Sequence, residues 1–291
     1  MIDLHIHTNY SDGSFTVKEV LEEANKLSLK YISITDHDVV DTYDELKEIN
    51  VSNLFKGEII NGCEITTTYN GEVIEVLGYD FDIPTMKELL KQNVLISEQK
   101  QLKEFELIKK RYKEIGVIFN EENIVFNPKK ESCRSYLVKE IKRYPENYKF
   151  FLEKSSIDSK SGFTRNEAFN PKSPLYVDES SLFPSLDKAI DIVHKSGGLC
   201  FLAHTFAYSP TIVNELDNII NNYEFDGIEC YYTTFTEEQT KFLLDYCSKH
   251  NLFMSGGSDF HGNNKINHNM GIGSGNMNIH EHIIKPWYNN K

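Results

Sequence analysis

Ile2-Asp3-Leu4-His5-Ile6-His7-Thr8 is strand-like and sets His5 and His7 two residues apart, so both imidazoles leave the same face of the strand. A regular rhythm starts from that stretch. Thr16-x-x-Glu19 has the form of a capping box, and Val17, Val20, Leu21, Ala24 and Leu27 follow at helical spacing. Tyr31-Ile32-Ser33-Ile34-Thr35 reads as a second strand, residues 59–67 as a third and 73–79 as a fourth. Strands and helices alternating in this way predict an α/β fold with a parallel sheet.

The rhythm breaks near residue 84. Leu102, Phe105, Ile108, Tyr112 and Ile115 sit three or four apart, as on one face of a long helix. Shorter helical stretches are expected near 133–143 and 146–153, and a loop containing Ser, Asn and Pro over 155–175. Beyond it, a helix near 186–196 leads to a strand at 199–203, and a helix near 210–221 leads to a strand at 226–231. A helix capped by Thr236-x-x-Gln239 then leads to a last strand at 252–254. The expected organisation is one barrel-type domain, residues 1–96 and 176–291, interrupted by a helical insertion over 97–175.

Composition excludes several classes of function. The 291 residues carry 31 Lys plus Arg against 44 Asp plus Glu, a net charge of −13, which argues against coating long nucleic acid. The charge is uneven, because residues 97–149 hold 13 basic and 9 acidic residues. A solvated helix surface accounts for most of those lysines. No apolar run reaches the length of a membrane span. Five cysteines, widely spaced and in no C-x-x-C pair, read as reduced thiols. With ionisable residues at Asp3, His5 and His7 there is no room for a leader's apolar region, so a cytoplasmic location is expected.

Nearly every expected strand runs into a residue that could bind a metal. His5 and His7 lie on the first strand, Asp36-His37-Asp38 follows the second, Cys63-Glu64 lies on the third and Glu75 on the fourth. Ala203-His204 and Gly257-Ser258-Asp259-Phe260-His261 close later strands. In a parallel barrel the carboxyl ends of all strands open on one face, so residues from 5 to 261 would converge. Imidazoles with carboxylates suit Mn²⁺, Fe²⁺ or Zn²⁺, and more than four candidates imply more than one ion. Two ions roughly 3.5–4 Å apart can stabilise both the attacking and the leaving oxygen of a phosphoester. Taken singly, each residue has an ordinary reading, and His194, His250, His268, His280 and His282 are given it. Asp38, Asp41 and Asp44 are read as a helix-start charge cluster.

His5-Ile-His7-Thr with Ser11-Asp12-Gly13, Thr35-Asp36-His37-Asp38, Gly62-Cys63-Glu64, Ala203-His204 and Gly257-Ser258-Asp259-Phe260-His261-Gly262 resemble the polymerase and histidinol phosphatase (PHP) family, in its motif order. Asp226-Gly-Ile-Glu229, Tyr231-Tyr232, Glu238-Gln239-Thr240 and Arg134 at a helix start are similar to its bacterial, 5′-3′ exonuclease-like branch, which acts on nucleotide phosphates and short oligonucleotides. The resemblance implies a distorted seven-stranded (β/α)₇ TIM-like barrel holding two to three divalent ions, manganese first, with Fe²⁺ or Zn²⁺ as alternatives. It implies that His5, His7, Glu64 and Asp259 hold one ion, that Glu64 bridges to a second shared with His204, and that Asp12, His37 and His261 hold the third. A metal-bridging hydroxide would attack phosphorus while Arg134, with Ser135 beside it, clamps the phosphate under a basic insert that roofs the barrel mouth as a lid. Arg134, His204 and Asp259 form the expected catalytic set.

Two positions depart from the family pattern. Glu75 stands where relatives usually have His, and a carboxylate there is expected to alter the second metal site rather than remove it. After His204, relatives commonly continue Pro-Gly and then Arg, whereas this chain has Thr205-Phe206-Ala207-Tyr208. The resulting expectation is a metal-dependent phosphoesterase acting on nucleoside bisphosphates or monophosphates, or on short 5′-phosphorylated oligonucleotides. The alternatives are a histidinol-phosphate phosphatase and a metal-binding module without turnover. No interface stripe separates from core-facing residues, so oligomeric state is left open.

Overall fold

The computed structural model describes residues 1–120, 125–128, 130–157, 163–168 and 170–288. Seven strands pair in chain order: β1 (Ile2–Ile6), β2 (Tyr31–Ile34), β3 (Glu58–Tyr69), β4 (Glu72–Tyr79), β5 (Leu199–Leu202), β6 (Gly227–Tyr232) and β7 (Phe253–Gly257). The last strand returns to the first. A parallel bridge joins Ile6 to Phe260, and the His7 amide donates to the Phe260 carbonyl at 2.8 Å. The sheet is thus a nearly closed seven-stranded barrel with helices around it.

The expectation of an all-parallel sheet fails at β4, which runs antiparallel to both neighbours. The cause is local. Asn70 and Gly71 between β3 and β4 have φ of 50° and 81°, the left-handed pair that closes a two-residue hairpin. An Asn-Gly dipeptide between two apolar runs is a visible sign of such a turn. β3 therefore serves two partners. Glu58 to Asn61 pair parallel with β2, and Gly62 to Tyr69 pair antiparallel with β4.

The helices follow their caps. At α1 (Val17–Lys26) the Thr16 hydroxyl accepts from the Glu19 amide, the Glu19 carboxylate accepts from the Thr16 amide at 2.8 Å, and Val17, Val20, Leu21 and Ala24 are buried. Thr236 and Gln239 form the second box. The single helix expected near 210–221 is two, Pro210–Asn214 and Leu216–Asn222, divided at Glu215. One apolar cluster joins Leu4, Ile60, Tyr79 and Phe201 to the C-terminal segment, where Trp287 packs 5.5 Å from Tyr79 and 5.2 Å from Phe201 between ring centres. All five cysteines are buried and free, and no helix among the described residues is long and apolar enough to cross a membrane.

The chain divides into two compact units, Met1–Val94 with Pro184–Lys291, and Leu95–Phe183. In the second unit the helix Ser97–Ile115 ends at Gly116 (φ 80°) and Cys133–Ile141 is capped by Ser132. Phe105, Ile108, Tyr112, Leu137, Ile141 and Phe163 form its core with Leu175, and Val177 packs against them, so the chain beyond residue 175 stays with this unit. The segment expected as loop over 155–175 includes a 3₁₀ turn at Lys154–Ile157 and a π-helical turn at Thr164–Ala168. Residues 158–162 and 169 of that segment lie outside the described residues.

Gly257 lets β7 approach β1 closely, because a Cβ there would fall 2.3 Å from the His5 amide nitrogen and 2.4 Å from the His5 Cβ. Gly257→Ala is expected to cost about 1–3 kcal/mol or more through overpacking. Gly71→Ala, in open space at φ +81°, is expected to cost about 1 kcal/mol. Urea unfolding of both variants checks the order; an equal or reversed loss would contradict the close approach of β7 to β1.

Candidate metal centre

Strand ends supply most of the centre. His5 and His7 come from β1 and the residue after it, His37 follows β2, His204 follows β5, and Asp259 and His261 follow β7. Glu64 and Glu75 differ, since both lie within strands. Glu64 sits where β3 leaves its parallel partner, and a bridge to His37 marks that point. Glu75 reaches the same place from antiparallel β4. His5, His7, Glu64, His204, Asp259 and His261 are buried, His37 and Glu75 are half-buried, and Asp12 is exposed.

Glu64 is the hub. Its Oε2 lies 3.1 Å from His5 Nε2, 3.2 Å from His7 Nε2 and 3.3 Å from His37 Nδ1, and its Oε1 lies 2.9 Å from His204 Nε2. Asp259 Oδ1 stands 3.6 Å from His5 Nε2 and 3.4 Å from His7 Nε2. Glu75 faces His37 Nδ1 at 3.5 Å and His204 Nε2 at 3.3 Å. A further group gathers on Asp12 Oδ1, with His261 Nε2 at 3.1 Å, His7 Nδ1 at 3.7 Å and His37 Nε2 at 3.8 Å. Among the described residues, three overlapping sets of donor atoms lie close enough to hold a metal ion: His5, His7 and Glu64; His37, Glu64 and Glu75; and His7, Asp12, His37 and His261.

Residues not foreseen as site residues hold these groups in place. Glu229 accepts from His5 Nδ1 at 2.8 Å and, through its other oxygen, from the His204 amide at 2.8 Å. That bond fixes the orientation of the His5 ring and directs Nε2 at Glu64, where loss of its proton would free a lone pair for a metal ion. The Tyr232 hydroxyl donates to Asp259 Oδ2 at 2.6 Å, and Lys265 pairs with the same oxygen. Asp36 accepts from the Thr8 amide and from the Thr8, Ser11 and Thr42 hydroxyls, which ties the turn after His7 to the end of β2. His204 and Asp259 have φ of 22° and 55°, strain that the bonds to Glu229 and Tyr232 hold in place. Tyr208, in the segment that departs from the family pattern, accepts a hydrogen bond from the Glu75 amide at 2.8 Å.

A family model described as PHP domain matches residues 3–233. The chain belongs to the PHP domain family. It is 27% identical to a 5′-3′ exoribonuclease of Haemophilus influenzae over 266 residues, 89% of each chain. It is 25% identical to a 3′,5′-nucleoside bisphosphate phosphatase of Chromobacterium violaceum, over 89% of this chain and 87% of that one. The fold matches the crystal structure of a Bifidobacterium adolescentis protein described as a metal-dependent phosphoesterase, with a TM-score of 0.60 at 24% identity, covering 93% of this chain and 90% of that one. Asp259 and His261 lie beyond the matched span, and the barrel closure brings them to the PHP centre.

The donor set of this PHP domain fits divalent ions. Two imidazole nitrogens, His5 Nε2 and His7 Nε2, converge at 3.1 Å beside a carboxylate oxygen, an arrangement that needs a cation among them. Among the described residues, buried His204 Nδ1 has no hydrogen-bond partner, and buried His37 Nδ1 lies near Glu64 and Glu75 without the geometry of a hydrogen bond to either. In the chain by itself, protons supply the charge. Burial opposes the imidazolium of His5, but Glu64, Glu229 and Asp259 outweigh it and hold its pKa well above the ordinary range. Burial likewise opposes His204, yet Glu64 and Glu75 raise it to about 10. Burial pushes Glu64 and Asp259 up, and the surrounding histidines, with Lys265 on Asp259, bring both well below the usual carboxylate range.

Arg134 and Ser135 belong to the second unit. Arg134 Nε donates to Glu104 Oε1 at 2.7 Å and its other arm pairs with Glu179, while the Ser135 amide and hydroxyl both bond to the capping hydroxyl of Ser132. His194 pairs with Asp226 and His250 stacks on Tyr246, the ordinary roles expected of them. His268 is a core histidine whose Nδ1 meets the Ser258 carbonyl at 2.9 Å. Asp41 and Asp44 are paired by Lys87.

Glu229→Gln removes the anion that orients His5, and divalent-ion affinity measured by calorimetry is expected to fall about 10–100-fold; unchanged affinity would deny Glu229 that role. Because His204 is raised, its imidazolium contributes stability in full below the ordinary imidazole range and loses it as pH rises through about 10. An incoming ion must displace such protons. Calorimetry with Mn²⁺ in buffers of different ionisation enthalpy is expected to show proton release at neutral pH and tighter binding toward pH 10. Binding without proton release would contradict the protonated state.

Proposed function

We propose that this PHP chain is a metal-dependent phosphoesterase that removes phosphate from nucleoside bisphosphates or monophosphates, or trims short 5′-phosphorylated oligonucleotides. The observation that carries the reading is the Glu64 cluster, an all-nitrogen-and-oxygen donor set lining a cleft of about 500 Å³. A volume of that order suits a small ligand. The exoribonuclease and bisphosphatase names of its relatives agree with a nucleotide substrate.

In this reading His5, His7, Glu64 and Asp259 hold one ion, Glu64, Glu75 and His204 a second, and Asp12, His37 and His261 a third. Manganese is the first choice, and Fe²⁺ or Zn²⁺ also suit imidazole with carboxylate. When bound, such ions supply Lewis acidity toward phosphoryl oxygens and activate water. The chain's own residues do the rest. Glu229 keeps His5 Nε2 directed at Glu64, Tyr232 keeps Asp259 Oδ1 directed at the histidines, and Tyr208 steadies the backbone that presents Glu75. Arg134 and Ser135 are assigned to substrate phosphate, with Glu104 and Glu179 as the carboxylates that phosphate must displace from the guanidinium. Five free, buried thiols support a reducing, cytoplasmic setting.

The test is phosphate release by metal-stripped protein reloaded with Mn²⁺. The substrates are a nucleoside 3′,5′-bisphosphate, a nucleoside 5′-monophosphate, a 5′-phosphorylated dinucleotide and histidinol phosphate. Nucleotide substrates are expected to turn over, His5→Ala and Asp259→Ala to fall to background, and Arg134→Ala to raise KM more than it lowers kcat. Undiminished activity in both metal-ligand variants would defeat the assignment. Preference for histidinol phosphate would move it to that phosphatase, and full metal binding without turnover would leave a binding module.

A further inference from the structure

Phosphoryl transfer is helped by cationic side chains that face the anionic substrate, beside any bound ions, and the segment after His204 offers none. His204-Thr205-Phe206-Ala207-Tyr208 contains no lysine or arginine, and the Tyr208 hydroxyl is engaged with the Glu75 backbone. The cleft lining is otherwise rich in carboxylates and imidazoles: Asp12, Glu64, Glu75, Asp259, His37 and His261 among them. Among the described residues that line it, Lys265 is the one lysine or arginine.

Three features set Lys265 at the cleft beside the Glu64 cluster. It follows Asp259 and His261 by way of the 3₁₀ turn Gly262–Asn264, so the loop that carries two site residues also carries the ammonium. Its Nζ pairs with Asp259 Oδ2, while Asp259 Oδ1 faces His5 and His7, so the charge stands one carboxylate width from the ligand cluster. The side chain is 37% exposed, although its partner is buried, and so it reaches the cleft from a side open to solvent.

Asp259 also accepts from Tyr232 at 2.6 Å, and the Lys265 Nζ lies 3.4 Å from that hydroxyl. The Tyr232 hydroxyl donates to that carboxylate oxygen independently of Lys265. Lys265 can therefore turn from Asp259 toward an incoming anion without leaving the carboxylate oxygen unpartnered. An ammonium is a compact point charge with three rotatable donors, suited to following oxygens whose charge changes during transfer.

Resting on the phosphoesterase reading, we infer that Lys265 is a cationic contact for the reacting phosphoryl group, supplied by the loop after β7 in addition to the role proposed for Arg134. A lysine that only balances Asp259 would affect metal binding and leave phosphate recognition alone, which separates the two roles.

The experiment compares wild type, Lys265→Gln and Lys265→Arg as Mn²⁺-loaded protein. Lys265→Gln is expected to lower kcat/KM by about 10²–10³-fold, as loss of one charge-stabilising donor does. The loss is expected to be alike for a nucleoside 5′-monophosphate and a 3′,5′-bisphosphate, with Lys265→Arg recovering part of it. Binding of inorganic phosphate, read by calorimetry, is expected to weaken about tenfold, in line with one charge-assisted hydrogen bond, while Mn²⁺ affinity stays near wild type. Unchanged phosphate binding in Lys265→Gln, a deficit cured by saturating Mn²⁺, or a loss confined to the bisphosphate would overturn the assignment. If wild type hydrolysed none of the esters, the functional reading would fall, and the phosphate-binding comparison would still judge Lys265.

Discussion

The carboxylate of Glu64 lies between four imidazoles and is almost entirely removed from solvent, and the rest of the molecule is arranged to make that tolerable. A buried carboxylate is unstable unless cations or donors surround it. Here His5, His7, His37 and His204 surround it, each within 3.3 Å, and they come from chain segments up to 140 residues away. The nearly closed sheet brings those segments together. The β1–β7 closure, the change of partner along β3 and the hairpin into β4 all serve the same small volume.

A second tier of residues keeps the first from rearranging. Glu229 spans two histidines by holding one ring and the backbone of the other, and Tyr232 fixes one oxygen of Asp259 so that the second stays turned inward. Positive φ at His204 and Asp259 puts backbone strain at two residues of the cluster. Such a site is built to receive cations in one geometry, and a chain that had to organise it on demand would bind them more weakly.

Much of this arrangement was legible in the sequence because ligand types at strand ends converge in a barrel, whatever the details of connection. His5, His7, His37, His204, Asp259 and His261 could be placed by that rule alone. Glu75 was drawn to the site by the same rule on a premise that fails, because β4 is antiparallel and carries it within the strand; the Asn70-Gly71 turn held the missing information on strand direction. The resemblance picked out Asp226-Gly-Ile-Glu229 and Tyr231-Tyr232 but gave neither Glu229 nor Tyr232 a role, because both act through contacts between segments far apart in the chain, and Lys265 lies in a loop without periodicity. The family resemblance marked Arg134 but not its engagement with Glu104 and Glu179, since long-range ion pairs leave no trace in local spacing.

If Glu64 organises a site for more than one divalent ion, its loss must lower the number of ions the chain retains. Metal content after Mn²⁺ loading and desalting, measured by mass spectrometry on wild type and Glu64→Gln, reads that number directly. Two to three ions per chain are expected in wild type, and no more than one in Glu64→Gln with the fold retained. One ion or none in wild type, or equal loading of the two proteins, would contradict the role given to Glu64.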